Sequence, residues 1–316
     1  ALSSAASDVY KRQIMPKDVA FIQDISGSIK AWRLRACKDA LKAALFRTLR
    51  NGDRFTLFAF RDNTLTPARG WLTFDDATRR RADTFIDSLR ALGNTNLFLL
   101  LQDLFTLPSD PARPLIAVII TDGEPTVGLT ETTRIIGEFS RLNQGRIAVY
   151  TFGVKPRNPY FLDMLCYANR GENTTASGDL DHLSGELSPV FDSIRNPVMK
   201  GLTLTFDARS GGEIHPRHLT HLYADRTLTV YGRVPKSTQS VTCQLRGVSA
   251  AATYDAVFSF DFADATPSRL DLRKAWAERA MFDLLAEYAE NPSAALLGRI
   301  ETFSRTYGVP NPYRKQ

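Results

Sequence analysis

Three short stretches set oxygen-bearing side chains at spacings that could hold a cation. "DISGS" places Asp24, Ser26 and Ser28 at alternate positions after the apolar run "VAFIQ". In extended backbone, residues two apart point the same way. "GNTNL" offers Thr95 where a loop meets a helical pattern, and "TDGEPT" puts Asp122 directly after "LIAVII". Taken singly these are a Ser-Gly turn, a helix N-cap and an Asp-Gly turn. Together, after successive buried strands, they read as a metal site. Carboxylates and hydroxyls suit a hard cation, Mg2+ first, with Mn2+ or Ca2+ as alternatives. No histidine or cysteine stands among them, which argues against zinc. No His, Lys or Cys in these motifs offers a base or nucleophile, so the site binds rather than reacts, and the chain is expected not to be an enzyme.

The elements that must carry these residues alternate in type. "DVAFIQDI", "RFTLFAF", "LIAVIITDG" and "RIAVYTFGV" are near-continuous apolar runs, the pattern of parallel strands buried on both faces. Helical segments are expected at about 30–49, 76–92, 97–107, 130–142, 158–169 and 179–194. The fold class is therefore α/β, a doubly wound, mostly parallel sheet flanked by helices. Ligands of such sheets sit outside the carboxyl ends of the strands, where Asp24 and Asp122 both fall. After Asn196 the texture changes. "LTLTFDAR", "RTLTVYGRV", "SVTCQLRG" and "YDAVFSFDF" alternate at period two, which predicts an antiparallel β segment. Two C-terminal helices follow, the first with a Leu272, Trp276, Ala280, Leu284, Tyr288 stripe expected to pack against the β segment. The expected division is a leader over 1–15, the α/β domain over 16–197, the β-rich segment over 198–265 and a helical segment over 266–316. In the leader, "DVYKRQ" is the translation of a transposon end used in sequencing libraries, so 1–15 reads as non-native or disordered.

Bulk composition narrows the class. The 316 residues are 43% hydrophobic and 23% charged, ordinary globular values, and no run approaches the length of a membrane span. A net charge of +6 favours anionic partners, but the basic residues are scattered and lack interleaved aromatics, which argues against nucleic acid. Cys37, Cys166 and Cys243 are isolated, without metal or redox spacing, and are expected as buried apolar residues. His215, His218 and His221 recur every third residue in what reads as a turn between strands, and are expected at the surface. Arg79, Arg80 and Arg81 read as an exposed helix face.

The order D-x-S-G-S, G-x-T-N, T-D-G-x-P-T over residues 16–197 resembles the metal-ion-dependent adhesion site of von Willebrand factor type A domains. The resemblance implies Asp24, Ser26, Ser28, Thr95 and Asp122 as metal ligands, and a carboxylate from a protein or matrix partner at the cation. Ile29 stands where methionine is usual, and Asn94 where a second glycine is usual. "NPVMKGLTLTF", "IHPRHLTHLYADRTLTVYGRV" and "IETFSRTYGVPNPY" resemble inter-alpha-trypsin inhibitor heavy chains and their bacterial relatives. That likeness implies a secreted or cell-surface location and a β-rich domain upstream, which is expected to be missing from this stretch of chain. The Asp-Pro-His used in that family for attachment to hyaluronan is absent, so that activity is not carried over. Two other readings compete. A phosphohydrolase of haloacid-dehalogenase type needs a second aspartate where Ser26 stands. A chelatase-like assembly subunit would share the α/β domain but not the β segment. Phosphate loops and dinucleotide fingerprints are missing.

Overall fold

A computed structural model describes residues 14–176, 183–207 and 213–313. Its centre is one sheet. Strands β1 (Asp18–Asp24), β2 (Arg54–Phe60), β5 (Leu115–Thr121), β6 (Ile147–Gly153) and β7 (Asn173–Thr175) run parallel in the order β2-β1-β5-β6-β7. Short β3 (Thr64–Leu65) and β4 (Leu72–Thr73) close the β2 edge antiparallel. Every residue of β1, β5 and β6 is buried, as strands covered on both faces must be.

The pleat sends alternate side chains to two cores. Val19 and Phe21 face helices α1 (Ala31–Thr48), α2 (Asp76–Ser88) and α6 (Leu183–Ser193). Ala20 and Ile22 face α3 (Leu97–Asp103), α4 (Thr132–Asn143) and α5 (Pro159–Ala168). The helices start where the chemistry allows. Asp75 and Thr78 form a reciprocal capping box on α2, and Asn96 and Asn158 cap α3 and α5. Segments 177–182 and 208–212 and the two ends of the chain lie outside the described residues, including most of the expected leader. Met15 is buried, and its N–H donates to the Pro197 carbonyl at 2.7 Å.

A second, four-stranded antiparallel sheet has the order β10 (Leu222–Tyr223), β8 (Pro197–Phe206), β12 (Ser240–Ser249), β13 (Thr253–Asp261). "RTLTVYGRV" differs from expectation. Only Tyr231–Arg233 (β11) is a strand, paired with β9 (Glu213–His215). Leu228 and Val230, read as strand positions, instead pack over Met199, Leu202 and Leu245 as a cover for the second sheet.

The C-terminal helices α7 (Leu272–Glu290) and α8 (Ala294–Tyr307) meet the expected β segment in part, since Trp276 of the stripe donates to the Glu213 carbonyl of β9 at 2.8 Å, but α7 packs elsewhere as well. Leu272 is exposed, and the most buried row of α7 is Ala277, Met281, Leu285, Ala289. This row joins the same core as α4 and α5, with further α7 contacts to β9 and β11. Gly137 makes the approach possible, because a Cβ there would sit 1.9 Å from the Ala289 carbonyl oxygen. The three cysteines are buried and unpaired as expected, and Arg79, Arg80 and Arg81 are exposed. The histidines are a correction. His215 and His221 are buried and only His218 is partly exposed, because 215–223 lies under α7 and against β8 instead of forming a surface turn. Among the described residues no helix is long and apolar enough to cross a membrane.

Candidate metal centre

β1 delivers Asp24 to the carboxyl edge of the sheet fully buried. The chain then turns through a 3-10 segment, Gly27–Ile29, with Ser26 at its N-cap. The Ser26 N–H donates to Asp24 Oδ1 at 2.9 Å, and the Ser26 and Ser28 hydroxyls share a hydrogen bond at 2.9 Å. This first loop is stitched to the second by two backbone bonds, Gly27 N–H to the Gly93 carbonyl and Leu92 N–H to the Ile25 carbonyl, both 2.9 Å.

The second loop carries Thr95. Gly93 adopts φ +83°, and a Cβ there would collide with the Asp62 carboxylate. The Asn94 side chain donates to Asp62 Oδ1 at 2.7 Å and its N–H to Oδ2 at 3.1 Å. These bonds hold the Asp62 carboxyl below its usual range. A glycine at 94 could not make the side-chain bond, so the departure at Asn94 replaces backbone freedom with an anchor. The third loop takes hold of Thr95 from the other side. Thr95 N–H donates to Thr126 Oγ1 at 2.8 Å, and Thr126 N–H returns to the Thr95 carbonyl at 2.9 Å.

Asp122 begins that third loop, one residue past β5. Thr121 donates its hydroxyl to Asp24 Oδ2 at 2.6 Å and accepts from Gly123 N–H at 2.9 Å, so the ends of β1 and β5 are tied by one side chain. Burial pushes the Asp24 carboxyl up to about 6. Hydrogen bonds from Ser26 and Thr121 oppose that, while the charge of Asp122 adds to it. Asp122 is 3% exposed, and its Oδ1 is buried with no hydrogen-bond partner among the described residues. Two carboxylates are thus held in a dry site, one lacking a partner on an oxygen that almost always has one. Thr121, Thr126 and Asp62 position the five predicted side chains without belonging to the predicted set. The first two lie inside the "TDGEPT" motif, and only their contacts reveal their work.

The five predicted side chains therefore lie on three hydrogen-bonded loops at one edge of the sheet. Glu124, which follows in the same loop, forms an ion pair with Arg157 at 2.6 Å. Among the described residues no three His, Cys, Asp or Glu side chains gather around a metal-sized point, which removes the His215, His218, His221 spacing from consideration. A cleft large enough for a small molecule is elsewhere. It lies between β9, α7 and α8 and shares no residue with these loops.

Residues 17–173 match the von Willebrand factor type A domain family, and the fold agrees, so the chain carries a type A domain. Solved structures superpose over most of its length. A von Willebrand factor type A protein from Catenulispora acidiphila reaches TM-score 0.58 at 16% identity, covering 93% of this chain and 80% of that one. An ArnB paralog, VWA2, from Sulfolobus acidocaldarius gives 0.52 at 15%, covering 94% and 82%. The chain as a whole resembles inter-alpha-trypsin inhibitor heavy chains. It is 24% identical to heavy chain H2 of Sus scrofa over 90% of its own length, and 26% identical to heavy chain H1 of the same animal over 69%. It spans 32% of the H2 relative and 25% of the H1 relative.

Proposed function

We propose that the chain is a metal-dependent binding module, without catalytic activity of its own. Asp24, Ser26, Ser28, Thr95 and Asp122 hold a divalent cation of the Mg2+ type, with Mn2+ or Ca2+ able to take its place. The observation that carries this reading is the buried Asp122 Oδ1 without a partner, beside an Asp24 carboxylate whose charge burial disfavours. A cation relieves both at once. The donor set fits, being all oxygen, with two carboxylates to balance a divalent charge and three hydroxyls to orient around it.

When bound, the cation supplies Lewis-acid attraction for a carboxylate on a protein or matrix ligand. The chain's own part is preorganisation. Thr121 fixes the Asp24 carboxylate, Thr126 fixes Thr95, and the Ser26–Ser28 pair keeps two hydroxyls aligned. A phosphohydrolase has less support, because Ser26 occupies the position where that chemistry needs a second aspartate. The likeness to inter-alpha-trypsin inhibitor heavy chains supports an extracytoplasmic location and disfavours an intracellular assembly subunit.

The test is thermal unfolding with and without magnesium. The wild type gains melting temperature with magnesium, and Asp24→Ala and Asp122→Ala do not. A gain of equal size in all three overturns the assignment. Calorimetry with Mg2+, Mn2+ and Ca2+ then ranks the cations.

A further inference from the structure

The cleft bounded by β9, α7 and α8 has a volume of about 670 Å³, within the range of small-molecule sites. Its floor is aromatic. Trp276 of α7 packs with Phe303 and Tyr307 of α8 at ring separations of 5.9 and 5.3 Å, and all three line the cleft. On α8 the lining residue Gly298 leaves the wall bare, since a Cβ built there meets nothing within 4 Å.

One end of the cleft is polar and oriented. His215 is 7% exposed, lines the cleft, and has its Nδ1 engaged with Asp283 Oδ2. Asp283 is itself fixed by the Tyr167 hydroxyl at 2.7 Å and by the Arg217 N–H at 3.2 Å. Three donors thus spread the Asp283 charge, and Nε2 of His215 is left without a protein partner among the described residues. Arg217 lines the cleft as well and makes no ion pair among the described residues. The other charges at the cleft are balanced. Glu213 faces Arg233 at 3.5 Å, and Arg299 faces Glu287 at 3.6 Å. The unmatched charge of the cleft is one arginine, set next to a buried imidazole at the end of an aromatic trough.

We propose that this cleft binds a small organic carboxylate with an aromatic or aliphatic body. The carboxylate meets the Arg217 side chain, and the body lies along Trp276, Phe303 and Tyr307. A guanidinium matches a carboxylate with two parallel N–H donors, and the aromatic trough takes the apolar body. The site is separate from the metal loops and does not depend on them.

Phenylalkanoates of increasing chain length, and their neutral amides, are the probes, read by calorimetry on the whole chain. One acid of the series is expected to bind with 1:1 stoichiometry and Kd of about 0.1–1 mM, the range a dozen-atom ligand can reach. Its amide should bind at least about tenfold more weakly, for loss of the charged hydrogen bonds. Arg217→Gln should weaken the acid about tenfold and leave the amide unchanged. Gly298→Leu fills the trough from an open helix position, so it should abolish binding of both while keeping the melting temperature. The proposal is overturned by equal binding of acid and amide, by saturable binding that survives Gly298→Leu, or by no saturable binding of any acid at about 10 mM.

Discussion

Strand β1 carries buried charge at both ends, and the two ends treat it in opposite ways. At the amino end, Lys17 is fully buried, and its ammonium donates to Asp53 at 2.5 Å and to the carbonyls of Thr48 and Arg195 at 2.8 and 2.9 Å. Burial lowers the Lys17 pKa, and Asp53 pulls it back. Asp18, next along, accepts from Arg54 at 2.8 and 2.6 Å and from Arg113 at 2.6 Å. Every charge there has its opposite within the chain. At the carboxyl end, Asp24 and Asp122 face each other with no cation among the described residues to offset them, and one oxygen has no partner. Buried charge that satisfies itself builds a fold, whereas buried charge left open waits for something from outside.

The largest effect should come from the closed end. Asp53→Ala leaves the Lys17 charge buried without a counter-charge, and should cost about 3–5 kcal/mol in urea denaturation, with or without magnesium. Rescue by magnesium would break the distinction between the two ends. At the open end the order is reversed. Saturating magnesium at about 100 times Kd should add about 2.7 kcal/mol to the wild type. Asp122→Ala should lose that gain while shifting metal-free stability by less than about 1 kcal/mol. Next in size is Thr121→Val, which removes the tie between β1 and β5. It should cost about 1–2 kcal/mol and weaken magnesium about tenfold, because Asp24 is no longer held in orientation.

The smallest effect tests the rule away from either end. His221 is buried with neither ring nitrogen hydrogen-bonded among the described residues, and burial, helped by Arg170 and Lys200, pushes its pKa down to about 3. The unfolded chain takes up this proton first, near pH 6.5. Stability from the neutral ring is therefore complete above that pH and declines as pH falls towards about 3. His221→Phe should be the more stable protein at about pH 5.8, by about 1 kcal/mol, and the two should converge near neutrality. Parallel pH profiles for the two proteins would show that this open group costs nothing.

Much of this was legible in the residue order because it depends on local pattern. Uninterrupted apolar runs rich in β-branched and aromatic residues favour strands covered twice, and β1, β2, β5 and β6 lie where those runs are. The five oxygen-bearing side chains could be picked out because three loops at the same edge each announce themselves by a turn signal after an apolar run or before a helix. Periodicity tells which face of a helix is apolar but not what covers it. Hence α7 was assigned to the β segment, which it does meet at β9 and β11, while nothing local revealed that its deepest row meets α4 and α5 across a close approach at Gly137. The histidines failed for a related reason. Spacing of three in a polar stretch reads as surface, and nothing local reveals that α7 will come to lie over His215. Asp283 was invisible for the same cause, being one acid among several on a helix until Tyr167, His215 and Arg217 close around it.

The seam between α7 and the α4–α5 layer bears on how the chain is made. Residues 132–168 emerge from the ribosome roughly a hundred residues ahead of the helix that seals them, a wait of roughly 5–20 s at ordinary elongation rates. Until then Tyr167, which packs on Phe282 of α7 at 5.2 Å, and the face of α4 around Gly137 lack their cover. Slowing translation beyond residue 200 should then lower the yield of native protein, and a holdase supplied during synthesis should recover it.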